Sequence, residues 1–194
     1  MNQQIFSAHK IAVAALVGAA YAVLTIALAP ISYGAVQLRV SEVLCILPYF
    51  FPCTAWGLYV GCFLANLITG NVFDIFFGSL ATLAAGLLTA RLGKEARRLL
   101  GETAAADGLP RTLIPGQLLA CLMPVLFNAL IVGAVSTYAY EGLPLFSHPG
   151  VFALNALWVG LGEAVVLFVL GFPLLRQLPR LRPFRAFAEK LNAS

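Results

Sequence analysis

The stretch Val40–Ile68, VSEVLCILPYFFPCTAWGLYVGCFLANLI, decides the fold because its length fits neither one membrane helix nor two full ones. An α-helix crosses the hydrocarbon core of a bilayer in ~20 residues. This stretch has about 29 residues and is interrupted by Pro48 and Pro52, which break helices. Because a segment this apolar does not lie in water, we expect it to form two short helices, near 40–50 and 54–68.

The rest of the chain is equally apolar. Hydrophobic residues make up 61% of its 194 residues and charged residues only 10%, whereas soluble domains carry about 25% charged residues. This composition excludes a soluble enzyme, a nucleic-acid binder and a disordered tail. It predicts one all-α integral membrane domain over 1–194, with further helices near 11–29, 72–91, 113–138 and 151–175.

The charges set the expected topology. Fifteen of the twenty charged residues are Lys10 or lie within Arg91–Arg111 and Arg176–Lys190, and the formal net charge is +4. Such basic clusters mark cytoplasmic membrane ends. If Lys10 and Arg91 both lie in the cytoplasm, an even number of crossings separates them. The helices near 11–29 and 72–91 supply two of these crossings, so Val40–Ile68 supplies either none or two. Because this stretch is too apolar to lie in water, we assign it two crossings. The sequence therefore predicts a polytopic six-helix bundle with both termini cytoplasmic, a cytoplasmic linker near 93–111 and a basic cytoplasmic tail, 176–194, on the bilayer surface.

The five remaining charged residues are candidates for function, because ionisable groups at membrane depth are costly unless they are paired or hydrated. They are Arg39, Glu42, Asp74, Glu141 and Glu163. Glu141 is expected in the exposed outer loop. Arg39 and Glu42 are three positions apart, so they either form an interfacial salt bridge or line a polar cavity.

Asp74 and Glu163 also allow two interpretations. Asp74 starts a helix, where a carboxylate suits the positive end of the helix dipole. Glu163 lies in mid-helix with no lysine or arginine within a turn, so its partner is Arg39 or a ligand. Asn66 and Asn128 add amide groups, which bond either a neighbouring helix or a ligand.

Aromatic residues accompany these polar groups. Tyr33 and Trp158 fit the aromatic belt of a membrane interface, and they also suit stacking against a flat heteroaromatic ligand. A guanine-like edge presents adjacent donors that a carboxylate accepts, whereas its carbonyl suits Arg39 or Asn128. The polar set therefore matches such a ligand.

Known catalytic motifs are missing from the sequence. It has no GxxxxGK[ST] phosphate loop, no HExxH and no GxSxG, and its four cysteines lie in apolar runs without a CxxC pair. We therefore expect no catalytic residues, no metal and no cofactor, and a transporter or binding subunit that cannot itself use ATP. Ala12, Ala15 and Ala19 give the first helix a small-residue face suited to close helix contact, within the chain or with another subunit.

Five ordered motifs resemble the QueT family. They are APISYGAVQLRVSE (Ala29–Glu42), GCFLAN (Gly61–Asn66), DIFFGSLAT (Asp74–Thr82), NALIVG (Asn128–Gly133) and GLGE (Gly160–Glu163). Members of that family are substrate-binding S components of energy-coupling factor (ECF) transporters, associated with uptake of queuosine precursors. The resemblance covers about Lys10 to Leu175.

The resemblance implies a bacterial, multi-pass cell-membrane protein that captures a 7-deazapurine, a 7-deazaguanine such as preQ1 or preQ0, for ATP-driven uptake. Its partners would be an ECF transmembrane scaffold subunit, contacted through Ala12, Ala15 and Ala19, and two ATPase subunits. The motif positions imply substrate-binding roles for Tyr33, Arg39, Glu42, Asn66, Asp74, Asn128, Trp158 and Glu163. By the same resemblance, Ser32, Tyr33 and Gly34 would cover the ligand.

Three alternatives stay open at the level of the sequence. The first is an S component for another vitamin or nucleobase, because the fold is shared while pockets diverge. The second is a self-sufficient secondary transporter in which Glu163 or Asp74 cycles protons. The third is a structural membrane protein without a ligand.

Overall fold

The protein is helical throughout the part of the chain that its structure, a computed structural model, describes, residues 7–33, 36–100 and 114–193. The all-α expectation is thereby confirmed for those residues. Four of their helical runs are long and apolar enough to cross a membrane. These are Ala8–Ala27, Asp74–Arg98, Ile114–Tyr140 and Pro149–Arg180. The six-span count and the side on which the termini lie stay predictions.

The first three segments lead from α1 to a central short helix. Helix α1 (Ala8–Ala27) begins at Ser7, whose hydroxyl accepts a hydrogen bond from the Lys10 amide at 3.3 Å. The short α2 (Ala29–Ser32) follows, and a 3-10 helix then runs over Val40–Tyr49. The sequence predicts a helix here, and the structure winds it in the narrower 3-10 form with Pro48 inside it.

The next elements return along the bundle. Helix α3 (Thr54–Asn66) ends in the turn Leu67–Thr69, and the π-turn Asp74–Gly78 then leads into α4 (Ser79–Leu100). Helix α4 runs past the expected end at 91. Its last turns, which contain Arg97 and Arg98, continue the helix beyond the apolar run. The remainder of the predicted linker, residues 101–111, lies outside the described residues.

The C-terminal elements follow without long breaks. They are α5 (Ile114–Val135), the π-turn Ser136–Tyr140, α6 (Pro149–Val166), the π-turn Leu167–Gly171, α7 (Phe172–Gln177), the 3-10 turn Leu178–Arg180 and α8 (Arg182–Ala193). Each π-turn extends an apolar helix, so the long runs read from the sequence are only locally distorted.

The long helices form a row of neighbours, α1, α3, α4, α5 and α6, beside the 3-10 helix. Helix α3 packs against α1 and α4, and α5 packs against α4 and α6, while the 3-10 helix contacts all five. Its buried residues are Ser41, Glu42, Cys45, Ile46, Pro48 and Tyr49. A short helix that carries a carboxylate therefore occupies the middle of the molecule.

Glycines allow α1 and α3 to approach backbone to backbone. A Cβ atom at Gly57 would collide with the carbonyl oxygen of Ala14, and one at Gly61 would collide with that of Gly18. Gly57 and Gly61 form a GxxxG pair on α3, the spacing that permits close crossings of membrane helices. Ala14 and Gly18 on one face of α1 therefore pack directly against α3 of the same chain.

The outer surface carries large apolar side chains. Leu16 is 72% exposed, Val23 64% and Val169 63%. A water-soluble surface does not carry so many exposed apolar side chains in contiguous patches, whereas a lipid-facing surface does. The chain is a membrane protein.

The basic C-terminal segment folds back onto its own chain. In α8 the Phe184 ring lies 5.1 Å from Phe50 and 5.5 Å from Phe51, and the Phe187 ring lies 5.5 Å from Phe51. The sequence predicts this tail as a surface anchor. Its apolar face covers the break between the 3-10 helix and α3, where the Phe50 and Phe51 rings offer aromatic partners. The placement of the tail on the bilayer surface stays a prediction.

We expect Gly57→Leu to lower stability by about 1–3 kcal/mol, the usual cost of overpacking, because the side chain must push α1 away from α3. Thermal unfolding of the detergent-solubilised protein measures the effect. Gly116→Ala in α5 is the control, since a Cβ at Gly116 meets nothing within 4 Å. Equal unfolding temperatures for the two variants would contradict the close contact.

Candidate functional site

A cavity of about 450 Å³ opens at the end of the bundle where several chain segments meet. This volume suits a small organic ligand. The lining comes from the loop after α2, the turn after α3, the start of the π-turn before α4, the end of α5 and the first turns of α6. The lining residues are Tyr33, Gln37, Ile68, Thr69, Asp74, Ser136, Tyr140, Glu141, Asn155 and Trp158.

Arg39 and Asp74 form a buried ion pair beside this cavity. The Nη2 atom of Arg39 lies 4.0 Å from Oδ2 of Asp74, and both side chains are almost inaccessible. The guanidinium also lies 5.2 Å from the Tyr33 ring centroid and donates from Nε to the Ser32 carbonyl at 3.4 Å. Of the two alternatives for Arg39 and Glu42, the salt bridge between them is not formed, because Asp74 reaches the guanidinium from another segment.

Asp74 faces both the ion pair and the cavity. Its Oδ2 atom accepts a hydrogen bond from the Tyr140 hydroxyl at 3.3 Å, whereas its buried Oδ1 atom has no hydrogen-bond partner. Asn71 supplies the helix cap instead, its Oδ1 accepting from the amides of Phe73 and Asp74 at 3.0 and 3.4 Å. The carboxylate of Asp74 is therefore available for another role.

Glu42 is fully buried and both of its oxygens are occupied. The Tyr21 hydroxyl donates to Oε1, and the Cys45 thiol donates to Oε2 at 2.9 Å. Next to it, the hydroxyls of Thr25 and Ser41 lie 2.6 Å apart. These contacts tie the 3-10 helix to α1.

Glu163 is buried on α6 and has one occupied oxygen. The Asn128 side-chain amide on α5 donates to its Oε1 atom at 2.9 Å, while Oε2 has no hydrogen-bond partner. Glu42 and Arg39 both interact electrostatically with it. The direct partner of Glu163 within the described chain is thus an amide rather than Arg39.

Asn66 holds the turn before Asp74. Its Nδ2 atom donates to the Asp74 carbonyl at 3.1 Å and to the Cys62 sulfur at 3.5 Å, and its buried Oδ1 atom has no partner. Arg39, Glu42, Asn66, Asn128 and Glu163 together are called the buried polar layer below. None of them lines the cavity.

The loop after α2 lies between the cavity and α6. A Cβ at Gly162 would meet the carbonyl oxygens of Val36 and Gln37, so the loop rests directly on the residue before Glu163. The Tyr33 hydroxyl donates to the Ala65 carbonyl at 2.7 Å, and burial raises the pKa of Tyr33 to about 12, so it stays a neutral donor. Gly34, expected in this cover, lies outside the described residues.

Of the predicted site residues, Tyr33, Asp74 and Trp158 line the cavity, and the other five form the buried polar layer. The predicted site does not include the polar lining residues Gln37, Thr69, Ser136, Tyr140, Glu141 and Asn155. One signal was available: Asn155 and Trp158 are three apart on α6 and therefore share a face. The segment after α5, which contributes Ser136, Tyr140 and Glu141, gives no such signal in the sequence, because its place beside the cavity depends on how the helices pack.

Part of the small-residue face of α1 packs against α3, and the adjoining part borders a groove. Ala15 and Ala19 line a shallow apolar groove of about 350 Å³ between α1 and α3, with Trp56 and Val60 on its far side. Ala12 is exposed but does not line this groove. The groove is open to the surroundings of the bundle.

Comparison with known proteins identifies the family. The family model described as "QueT transporter" matches residues 11–180. The chain belongs to the QueT transporter family. Membership confirms the resemblance seen in the sequence motifs and places the chain among transporters rather than enzymes. Within the described residues, no group of three or more His, Cys, Asp or Glu side chains is placed to hold a metal ion.

A curated QueT relative shares part of the sequence. It is the queuosine precursor transporter QueT of Lactococcus lactis subsp. cremoris (strain MG1363), 35% identical over 77 residues. The match covers 39% of this chain and 46% of the relative, so it spans just under half of that protein's length. No solved structure matches the chain.

The Arg39–Asp74 pair gives a direct test of the site geometry. Arg39→Met and Asp74→Asn should each destabilise the protein by about 3–5 kcal/mol, because each leaves an uncompensated buried charge. The double variant should lose clearly less than the sum of the two single losses. Thermal unfolding of all four proteins measures the coupling, and strictly additive losses would show that the two side chains do not interact.

Proposed function

We propose that this chain is the substrate-specific S component of an ECF-type importer and captures a queuosine precursor, a 7-deazaguanine, for ATP-driven uptake. Family membership supports a transporter, and the name of the Lactococcus relative, a queuosine precursor transporter, supports the substrate class. The observation that carries the proposal is the set of unpartnered acceptor atoms at and beneath the cavity. They are Asp74 Oδ1, Asn66 Oδ1 and Glu163 Oε2.

Buried acceptors without partners are rare in folded proteins, because each costs about 1–3 kcal/mol. A ligand rich in N–H donors would satisfy them. The guanine-like edge of a 7-deazaguanine offers a ring N–H and an amino group side by side, a good match for a carboxylate. The unpartnered atoms therefore favour a donor-rich base over an anionic or purely apolar ligand.

The partners of the carboxylates separate their roles. Glu163 has a free oxygen and is therefore favoured to read the base edge, whereas both Glu42 oxygens are occupied by Tyr21 and Cys45. Asp74, whose Oδ1 is free, would face a cationic substituent. Arg39 would act by positioning Asp74 rather than Glu42.

Trp158 supplies an aromatic surface for such a base. Its side chain lines the cavity and remains 41% exposed, so one face is free for stacking. Tyr33 is already covered by the Arg39 guanidinium on one side. Entry of the base toward Glu163 would displace the loop that rests on Gly162.

The ECF scaffold subunit is proposed to dock at the groove between α1 and α3. Small residues there would let a partner helix approach closely, which is the main source of affinity between helices in lipid. Two ATPase subunits would drive transport through the scaffold. In this arrangement the protein lies in a bacterial cell membrane with six spans and both termini in the cytoplasm.

Binding by the purified chain alone is the first experiment. Calorimetry should detect tight binding of 7-aminomethyl- or 7-cyano-7-deazaguanine, with guanine and riboflavin as comparison ligands. Binding of riboflavin alone would indicate an S component of another specificity. Uptake by proteoliposomes containing only this chain and a proton gradient would instead support the secondary transporter.

Glu163→Gln should weaken 7-deazaguanine binding more than tenfold, because a charge-assisted pair of hydrogen bonds worth about 1.5–3 kcal/mol is lost. Asn128 can still donate to the new amide oxygen, so folding should be retained. Glu95→Gln is the matched control, since Glu95 is exposed and pairs with the exposed Arg98. Unchanged affinity in Glu163→Gln would remove that carboxylate from the site.

Ala19→Phe should abolish copurification with the scaffold subunit and ATP-driven uptake while leaving ligand binding by the chain alone intact. The bulky ring fills the groove without entering the α1–α3 contact, because Ala19 is exposed. Val23→Phe on the same helix is the control, since Val23 is exposed but does not line the groove. Normal assembly of Ala19→Phe would exclude this docking face.

A further inference from the structure

The cavity described above has an unbalanced charge. Its lining includes the carboxylates of Asp74 and Glu141, and no lysine or arginine side chain belongs to that lining in the part of the chain described. The Asp74 charge is offset by Arg39, which lies beneath the cavity. Glu141 is left as the carboxylate whose charge the lining does not offset.

The surroundings of Glu141 fix its carboxylate at the cavity mouth. The Asn155 side-chain amide donates to its Oε1 atom at 2.9 Å, so Glu141 is held by a neutral group. The Glu141 amide donates to the Ser136 carbonyl at 3.1 Å, and Gly142 turns the chain away at a φ of 70°. A turn with this backbone geometry suits glycine and directs the next residues outward.

A second carboxylate belongs to the same lining. Asp74 lines the cavity although it is only 2% exposed. Its Oδ1 atom is buried near Asn66 and Gly78 and has no hydrogen-bond partner in the described structure. Its Oδ2 atom accepts a hydrogen bond at 3.3 Å from the hydroxyl of Tyr140, the residue before Glu141. The cavity therefore has one carboxylate in its wall and another at its mouth.

We infer that Glu141 makes the cavity selective for ligands that carry an organic ammonium group. Within the proposed function, on which this inference rests, the preferred substrate is then a 7-aminomethyl base, which is a cation, over a 7-cyano base of similar shape, which is neutral. The Asp74 carboxylate in the cavity wall and the Glu141 carboxylate at the mouth both attract the ammonium group electrostatically. Sequence reasoning assigned Glu141 only to the exposed loop.

The test compares two ligands in two proteins. Dissociation constants of 7-aminomethyl- and 7-cyano-7-deazaguanine are measured by calorimetry for the full chain and for Glu141→Gln, which keeps an oxygen for the Asn155 bond. Removal of the charge should reduce the preference for the aminomethyl compound about fivefold, the size of a partly screened ion pair. Raising the salt concentration should reduce the wild-type preference in the same direction.

Glu95→Gln is the control for the change in net charge. It lies 21 residues after Asp74 along one continuous helical run, about 30 Å away at ~1.5 Å per residue. Its preference ratio should equal that of the wild type. An equal shift in this control would assign the effect to the net charge of the protein and overturn the inference.

The remaining outcomes separate the inference from the proposed function. If the wild type binds both compounds and Glu141→Gln leaves their ratio unchanged, or if the neutral nitrile is preferred, the inference is wrong while the substrate class stands. If the wild type binds neither compound, the proposed function fails and the inference fails with it.

Discussion

The structure depends on the neutralisation of one buried cation. Arg39 enters an apolar bundle with 2% of its surface exposed, and a guanidinium in such a place must find an anion. Asp74 meets it from the π-turn that follows α3, and Tyr33 covers it from the preceding loop. The pair therefore joins segments that are distant in sequence, and the cavity opens beside it.

Close packing of glycines makes that meeting possible. Contact between α1 and α3 through Gly57 and Gly61 draws the two helices together, and the 3-10 helix fits beside them. Tyr21 then reaches Glu42 from α1. Apolar packing thus sets the positions of the polar groups, and the hydrogen bonds specify one arrangement among those that packing would allow.

The sequence predicted the fold class and the residues of the polar set better than it predicted the contacts between those residues. Hydrophobic runs and charge clusters were sufficient for an all-helical membrane protein, because both signals are local. Residual charges at membrane depth also identified Asp74 and Glu163 as members of the polar set. Their partners were not predictable, because Asp74 is joined to Arg39 and Tyr140 only by tertiary packing. Glu141 was assigned to the outer loop and left out of the predicted site for the same reason, since exposure in a loop does not reveal which cavity a side chain borders.

The 3-10 helix has a further consequence for the bilayer. Its 10 residues rise about 20 Å at ~2.0 Å per residue, whereas the hydrocarbon core is ~30 Å thick. The cavity opens beside the Arg39–Asp74 pair, near the first residue of this helix. A ligand held there therefore lies only about 20 Å of helix from the opposite end of this element, at ~2.0 Å per residue, whereas a full-length membrane helix would separate the two ends by about 30 Å.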